Sequence, residues 1–532
     1  MFIAFLPLLY IEEKLNKNSL LFVFILSLVS FSIWNSVTTW WLHYAKKRNG
    51  SIVLIAYLFP VCLNSFMMSF VFTLFSCIKR MAKNRNIGYI CLVCLWILFE
   101  KLHLEWELSW PWLNLGNGFS NRVEWIQWYE YTGTLGGTLW IWLVNIGFLK
   151  TILKYQKEKN HFILYNNILI NLAKIFLMIC LSSILYIQYG VKKYKNSVDM
   201  LILQPNIDPY HQKYHYTTQR LIYEFQRLMD KKISKNKSMI VVAPETAFPG
   251  YGYKISINEI NKNRMICLFK RYLKKKSPKT IFITGIELFA FAYKKGQEKY
   301  GRNKFPISFF ISECMDSIEW INIFNSVIQI GAYQKKVYYH HKSKLVPAVE
   351  IFPYKDFFSS IFGDDLMLDF GGGVIELGKD NNISVFQHPY LKMKIAPIIC
   401  YESVFGEYVS KFFRKNAGLM VIITNDGWWG KSQGHKQHLY YARLRAIENR
   451  KCIARSANTG VSCFINERGD ILSMFPYGKK GFLYRKISVN NIKTFYTKHG
   501  DYIYIISFLI EIIIISYAIT YYIFRKIKIQ IF

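Results

Sequence analysis

Apolar and polar positions divide the chain into two textures. Up to about residue 189, long apolar blocks alternate with short basic loops. Residues 20–42 (LLFVFILSLVSFSIWNSVTTWWL), 52–77 and 161–188 are each long enough to cross a bilayer. Residues 86–102 and 133–149 fall just short of the roughly 20 apolar residues that a spanning helix wants. A further block, 502–523, carries Glu511 within it. A charge there is costly, so it is expected to face a helix bundle or a cavity. The opening MFIAFLPLLYI is too short to span and lacks the basic front and cleavage site of a signal peptide. It reads as the tail of a seventh span.

Between these blocks the period shortens. Runs rich in β-branched residues are closed by Pro, Gly, Asn or Asp: VDMLILQPNID (198–208), MIVVAPETAFPG (239–250), TIFITGIELF (280–289), NSVIQI (325–330), MKIAPIICYE (393–402) and LMVIITNDGW (419–428). These predict buried strands. Helices are predicted over 212–236, 255–275 and 436–451. Strands alternating with helices imply an α/β domain, and the residues alone leave open how its sheets stack. The expected organisation is transmembrane helices over 1–189, a polar domain over 190–501, and a final helix with a basic tail over 502–532.

Charge orients this layout. The formal net charge is +34, but the lysines are scattered and accompany abundant Asn, Ile and Tyr, a bias that an AT-rich genome favours. No nucleic-acid-binding signature is present, so nucleic acid is excluded as a partner and an anionic lipid surface is favoured. The basic loops 78–86 and 150–160 and the tail FRKIKIQ fall on one side under strict alternation, which the positive-inside rule makes cytoplasmic. The polar domain then lies outside the cytoplasm; the basic loop 43–51 dissents. Of the ten cysteines, Cys91 and Cys94 are separated by two residues but lie within an apolar helix, so neither a metal, a cofactor nor a disulfide framework is expected. The external loop 103–132 is dense in Trp and Tyr. It serves either as an aromatic belt at the interface or as a lipid-binding rim containing Trp110 and Trp112.

Three residues stand in or just after apolar runs: Glu245 after IVVAP, Lys342 in VYYHHKSKLVPAVE, and Cys400 closing KIAPIIC. Singly each is weak, since a Cys after an apolar run is more commonly a small core residue. Together they make chemical sense. A free thiol titrates near 8.5 and needs a base or a cation to react at neutral pH. Glu245 can take the thiol proton, and Lys342 can stabilise a thiolate and then an oxyanion. His340 or His341 is the alternative base.

The segments APETAFPG, HHKSKLVPAVE, IICYESVFGE, ITNDGWWG and ARLRAIENRKCIARSANTG resemble the nitrilase superfamily with its Glu, Lys and Cys triad. With the flanking spans, SWPWLNLGNGF and TFYTKHGDY, the chain is more closely similar to the apolipoprotein N-acyltransferase family. The resemblance implies a multi-span α-helical membrane protein with an inserted α/β nitrilase-like domain, an α-β-β-α sandwich. MFIAFLPLLYIEE resembles the end of that family's second helix, so a first helix is missing or incomplete here. Carried over by position, Glu245 is the general base, Lys342 the catalytic lysine and Cys400 the nucleophile. Glu350 is a supporting glutamate, Tyr401 and Glu402 position substrate and triad, and Trp428 and Trp429 wall the pocket. The chain departs from the family in having His340 where a Tyr is usual and LVPAVE for LVPFGE.

The implied reaction moves an acyl chain from a phospholipid, through a thioester on Cys400, to the N-terminal amine of diacylglyceryl-cysteine in lipoproteins. The implied setting is the bacterial inner membrane, with the domain facing the periplasm and the protein a monomer. The competing reading is a membrane-anchored amidase or nitrilase acting on a small amide, which would not need so many spans.

Overall fold

The computed structural model describes residues 1–15, 19–45, 54–191, 196–235, 237–249, 255–292, 305–306, 320–355, 357, 360 and 377–531. The chain forms two units: one from Met1–Ala45, Val53–Val191 and His499–Phe532, the other from Lys192–Lys498. Cys314 and most of the basic loop 43–51 lie outside the described residues.

The first unit is helical. Its helices are α1 (Leu6–Lys14), α2 (Leu20–Thr38), α3 (Ile55–Ala82), α4 (Arg85–Glu105), α5 (Tyr129–Glu158), α6 (His161–Val191) and a last helix, Tyr502–Ile531. Six of these, all but α1, are long and apolar enough to cross a membrane. The two blocks read as marginal form full-length helices, because polar turns extend them past their apolar runs. Asn84 caps α4, its side chain accepting the N–H groups of Asn86 (2.9 Å) and Ile87 (3.3 Å). The start of α5 is broken at Gly133, which has a positive φ of 61°.

The buried charges Lys79, Glu100 and Glu511 inside this unit have partners, as an apolar surround demands. Lys79 is shared by Glu12 and Glu13. Glu511 accepts from the Cys91 thiol at 3.1 Å, so it faces α4. Glu100 accepts the Leu115 N–H and the Thr138 hydroxyl, both at 2.7 Å, which ties the aromatic loop to α4 and α5. Between the end of α4 and the start of α5 that loop is a series of short 3-10 turns. At Gly116 a Cβ would come within 1.9 Å of the Thr134 carbonyl oxygen, so only glycine permits this approach.

The second unit is built on two sheets. The first contains β1 (Ser197–Gln204), β2 (Met239–Val242), β3 (Ile255–Ser256), β4 (Ile281–Ala292), β5 (Phe305–Pro306), β6 (Trp320–Gly331), β7 (Tyr338–His341) and β14 (Gly481–Ser488). Its order is β14-β1-β2-β4-β6-β5, with β3 on β4 and β7 on β6. The second sheet runs β13 (Ile471–Phe475), β12 (Ser462–Ile465), β11 (Ile453–Ala457), β10 (Ala417–Thr424), β9 (Lys394–Ile399), β8 (Phe386–Gln387). Each has a parallel centre: β1, β2 and β4 in one, β9, β10 and β11 in the other. Parallel strands are buried on both faces, which is why they read as unbroken apolar runs.

One face of each sheet packs on the other. Met200, Ile202, Val242 and Ile283 of the first share a core with Ile395, Val421, Ile423 and Ala454 of the second. The outer face of the first sheet buries Leu201, Val241 and Phe282 against Phe225 and Met229 of α7 (Thr218–Asp230) and Phe269 and Leu273 of α8 (Arg264–Lys276). α9 (Gly406–Arg414) packs on β9 and β10, and α10 (Gln433–Asn449) packs on α9. The layers are therefore helix, sheet, sheet, helix, the sandwich implied by the resemblance.

Two predicted helices are shorter at the front. α7 begins at Thr218 because Thr217 caps it, accepting the Arg220 N–H at 3.3 Å. Residues 255–256 pair with β4 as β3, and α8 begins after Asn263, whose side chain accepts the Met265 N–H at 3.0 Å.

Candidate active site

The site lies at the carboxyl ends of strands, where α/β sheets collect functional groups. Glu245 follows β2, Lys342 follows β7, and Cys400 follows β9. The backbone brings the first two together through β6: the Lys342 N–H donates to the Asn325 carbonyl at 2.8 Å. Asn325 projects from β6 between two carboxylates. Its amide nitrogen donates to Glu245 Oε1 (2.8 Å) and Glu350 Oε1 (3.2 Å).

Lys342 Nζ lies 3.0 Å from Glu245 Oε1 and 2.8 Å from Glu350 Oε1. An ammonium has three N–H groups, so one remains unspent. Both hydrogen bonds to Glu245 fall on Oε1, which leaves Oε2 open. Glu350 is fixed in turn by the Val346 N–H at 2.9 Å on its Oε2. Thus Glu350 joins the pair that the sequence proposed it to support.

Glu245 passes close to β4. A Cβ on Gly285 would lie 2.7 Å from the Glu245 Cα and 2.4 Å from the Thr246 nitrogen. Glycine at 285 is what lets the loop carrying the carboxylate cross there.

Cys400 is buried and has a φ of 48°, a left-handed conformation that a non-glycine residue adopts at a cost. Glu402, also buried, holds this turn. Its Oε2 accepts the Ile399 N–H at 2.9 Å, while Oε1 accepts from the Ser343 N–H and the Tyr408 hydroxyl, both at 2.7 Å. One carboxylate therefore spans the strand before the cysteine and the loop after the lysine. His340 Nε2 lies 3.6 Å from Glu402 Oε2 and 3.3 Å from the Tyr408 hydroxyl. The histidine in the usual tyrosine position thus borders the carboxylate that braces the site. Tyr401 packs its ring edge-on against Phe405.

The electrostatics separate acid from base. Burial alone would raise the Glu245 carboxyl, but Lys342, Lys213 and the Asn325 hydrogen bond outweigh it and hold it below the ordinary range. Burial lowers Lys342, yet Glu245 and Glu350 overcome that and keep it well above the ordinary lysine value. Burial, reinforced by the Glu245 charge, pushes the Cys400 thiol up, against the pull of Lys342. The resting pair is a thiol and a carboxylate. Lys342 spends its charge on two carboxylates and does not leave a thiolate at rest.

Sequence reasoning missed the groups around the sulfur. The Thr424 hydroxyl lies 3.2 Å from Cys400 Sγ and 2.9 Å from Asp426 Oδ1. His438 Nδ1 is 3.0 Å from Asp426 Oδ1, and its Nε2 is 3.2 Å from the Cys400 carbonyl oxygen. Arg455 donates to Asp426 Oδ2 at 2.8 Å. Burial would raise Asp426, but Arg455 and His438 hold it well below the ordinary carboxylate value. Asp426 and Arg455 both sit in segments that carry the resemblance. Their position at or after the ends of β10 and within β11 was the available signal.

Other sequence candidates are distributed unevenly. Trp428 is half-buried, its carbonyl accepting from the Tyr210 hydroxyl at 2.9 Å. Trp429 is half-buried with its ring 6.2 Å from that of His438. His341 pairs with Ser326 at 2.7 Å, and burial lowers its pKa to about 3. Among the described residues His340 Nε2 lies by Glu402 and Tyr408 and His341 Nδ1 by Ser326, and neither histidine hydrogen-bonds Cys400. Trp110 and Trp112 belong to the helical unit. Trp112 is buried edge-on against Trp41, and Trp110 borders a crevice with Asn64, Glu100 and His103. Among the described residues no cluster of His, Cys, Asp or Glu is arranged to hold a metal ion.

Comparison with known proteins agrees with this architecture. The family "Carbon-nitrogen hydrolase" matches residues 187–496, and "Apolipoprotein N-acyltransferase N-terminal domain" matches residues 1–147. The chain is 25% identical over 485 residues to an apolipoprotein N-acyltransferase of Chlorobaculum tepidum, covering 89% of this chain and 84% of the relative. It is 28% identical over 341 residues to that of Wigglesworthia glossinidia brevipalpis, covering 62% and 57% of the two chains. It is 24% identical over 425 residues to that of Geobacter metallireducens, covering 79% and 73%. A multi-helical membrane region matching one model and a two-sheet domain matching the other place this chain in the apolipoprotein N-acyltransferase family of acyltransferases, within the nitrilase, or carbon–nitrogen hydrolase, superfamily.

Proposed function

We propose that the protein transfers an acyl chain from a phospholipid to the α-amine of a diacylglyceryl-cysteine at the start of a lipoprotein, through a thioester on Cys400. The observation that carries this reading is the division of labour at Glu245. One oxygen is held by Lys342 and Asn325, the other takes no hydrogen bond, and the charge of this carboxylate acts on a thiol that burial keeps protonated at rest.

Cys400 attacks the donor ester as Glu245 Oε2 takes the thiol proton. The unspent N–H of Lys342, with a backbone N–H near Tyr401, holds the oxyanion. Collapse breaks the ester bond, and Glu245 returns the proton to the leaving lysophospholipid oxygen. The acceptor amine then attacks the thioester. Glu245 takes a proton from the amine and passes it to the departing Cys400 sulfur, restoring the resting state. Glu350 and Asn325 hold Lys342 and Glu245 in register, and Glu402 holds the turn that presents the sulfur.

The helices have a physical purpose in this scheme. Drawing an acyl chain into water costs about 0.8 kcal/mol per CH₂, so a site at the bilayer surface avoids that cost. The domain of residues 190–501 then faces the periplasm of a bacterial inner membrane, with the basic loops cytoplasmic. The thioester must also be kept from water. Trp428 and Trp429 wall the pocket, and Trp110 and Trp112 belong to the aromatic loop that we read as binding lipid.

The test is mass spectrometry of the purified protein after incubation with phosphatidylethanolamine. An acyl mass on the Cys400 peptide, removed by a diacylglyceryl peptide with a free amine, is expected. Release of ammonia from small amides with no acylation by lipid would instead establish an amidase.

A further inference from the structure

Among the described residues one side chain hydrogen-bonds the Cys400 sulfur, and it lies outside the triad. The Thr424 hydroxyl is 3.2 Å from Sγ. Lys342 gives its hydrogen bonds to Glu245 and Glu350, none of them to the sulfur. Burial and the charges of Glu245 and Asp426 oppose a thiolate at Cys400, whereas Lys342 and the Thr424 hydroxyl favour one. The acyl-transfer steps give that hydroxyl no task.

Thr424 is the buried last residue of β10. Its carbonyl accepts the Asn458 N–H at 3.1 Å, and its branched Cβ restricts the side chain, so the hydroxyl is held in place. That hydroxyl also lies 2.9 Å from Asp426 Oδ1. It has one hydrogen to give and two lone pairs to receive with, so it cannot donate to both neighbours at once. Asp426 is an ionised carboxylate and can only accept. Arg455 donates to its Oδ2 at 2.8 Å, and His438 Nδ1 stands 3.0 Å from its Oδ1. While the sulfur keeps its proton, the hydroxyl gives its hydrogen to Asp426 and offers a lone pair to the thiol. A thiolate would have no other side-chain donor here, whereas Asp426 keeps Arg455. Ionisation of the sulfur therefore turns the hydroxyl hydrogen toward it, by rotation about one C–O bond.

We propose that Thr424 is a further catalytic residue, whose hydroxyl receives the Cys400 thiol hydrogen at rest and donates to the sulfur whenever that sulfur carries negative charge. The inference rests on the acyl-transfer reading and deepens it. In the first half-reaction the S–H bond breaks and its proton goes to Glu245. Thr424 turns its own hydrogen from Asp426 to the sulfur and keeps it. In the second half-reaction the C–S bond of the thioester breaks, and the same hydrogen meets the departing sulfur until Glu245 returns a proton to it. A hydrogen bond to an ionised acceptor is about twice as strong as a neutral one, so the contact strengthens as charge develops and favours the transition state over the resting thiol.

The experiment compares wild type with Thr424→Val and Thr424→Ser, each as the full-length protein in detergent micelles. T424V keeps the branched shape and loses the hydroxyl; T424S keeps the hydroxyl and loses the methyl. With phosphatidylethanolamine as donor and a diacylglyceryl peptide as acceptor, T424V should slow both formation and consumption of the Cys400 thioester by about ten-fold or more, with KM for the donor unchanged. T424S should recover most of both rates. Wild-type rates in T424V would overturn the proposal, and equal loss in folded T424V and T424S would assign Thr424 to packing. A second measurement needs no change at 424. The infrared difference spectrum between wild type and Cys400→Ala isolates the Cys400 S–H stretch, which should lie below the frequency of a free thiol. A band at the free-thiol frequency would overturn the proposal even if T424V fails to fold. Failure of phosphatidylethanolamine to acylate wild type would instead sink the acyl-transfer reading, while the S–H band still decides whether Thr424 holds the thiol hydrogen.

Discussion

Glu402 accepts the N–H of Ile399, the residue just before Cys400, at 2.9 Å. That contact braces the positive-φ turn at Cys400 from the strand side, while the other oxygen braces the Lys342 loop through Ser343. Glu402→Gln places an amide N–H against donors and leaves a buried group unpaired. The expected cost is about 1–3 kcal/mol of stability with a loss of acylation of about ten-fold or more. Denaturant unfolding and the rate of acyl-enzyme formation check both.

Gly285→Ala tests the placement of the base. The new Cβ would meet the Glu245 and Thr246 backbone at 2.7 Å and 2.4 Å. Atoms of a crossing chain cannot swing aside as a side chain can, so the loop must shift. A stability loss of about 1–3 kcal/mol is expected, with a larger proportional loss of acylation than of folded protein. Full activity in a folded G285A protein would show that Glu245 tolerates displacement.

Cys400→Ser and Glu245→Gln separate nucleophile from base. C400S should abolish transfer, since a serine hydroxyl lacks an accessible anion at neutral pH. E245Q should remain folded and show no thioester by mass spectrometry, because nothing then takes the thiol proton. A trapped thioester in E245Q would remove Glu245 from the base role.

Lys342→Met should be the more damaging change to the fold. It leaves Glu245 and Glu350 buried side by side without their cation, at an expected cost of about 3–5 kcal/mol. The double variant Lys342→Met with Glu350→Gln should recover part of that stability without recovering acylation. Thermal melting and the acylation assay distinguish the two readouts.

The pH profile follows from the sign of each shift. Glu245, Glu402 and Asp426 are all held below the ordinary carboxylate value, each against the opposing effect of burial. Groups with depressed folded values contribute stability above their unfolded values, and that stability is lost as pH falls through the folded ones. Acylation should therefore persist from neutral pH down past about 4.3, the ordinary glutamate value, before the base protonates. Thermal midpoints and acylation rates measured together from neutral to acidic pH check this. An acid limb near neutrality would contradict the placement of Lys342 on Glu245.

The central strands were legible because they are parallel and doubly buried, so β2, β9 and β10 appear as apolar runs whose ends hold Glu245, Cys400 and, beyond Thr424, Asp426, while the stacking of the sheets came only from the resemblance. What a run of residues hides is the company each end keeps. Asn325 lies inside the predicted strand NSVIQI, and nothing local distinguishes its bridge between two carboxylates from a polar interruption. Lys213 was absorbed into the front of a predicted helix over 212–236. The helix instead starts at Thr218, since the Thr217 side chain takes the Arg220 N–H that an earlier start would bond within the helix. His438 and Arg455 reach the cysteine turn from α10 and β11, a convergence made only by the fold. In the helical unit, counting apolar residues shortened α4 and α5, whose ends are polar but capped or hydrogen-bonded.

A thiol kept protonated by burial and by a neighbouring carboxylate is also chemically quiet. Oxidants and alkylating reagents react with the thiolate, and Cys400 at rest offers almost none. The burial that holds the sulfur protonated therefore doubles as protection: on the proposed periplasmic placement, where disulfides form readily, Cys400 stays reduced.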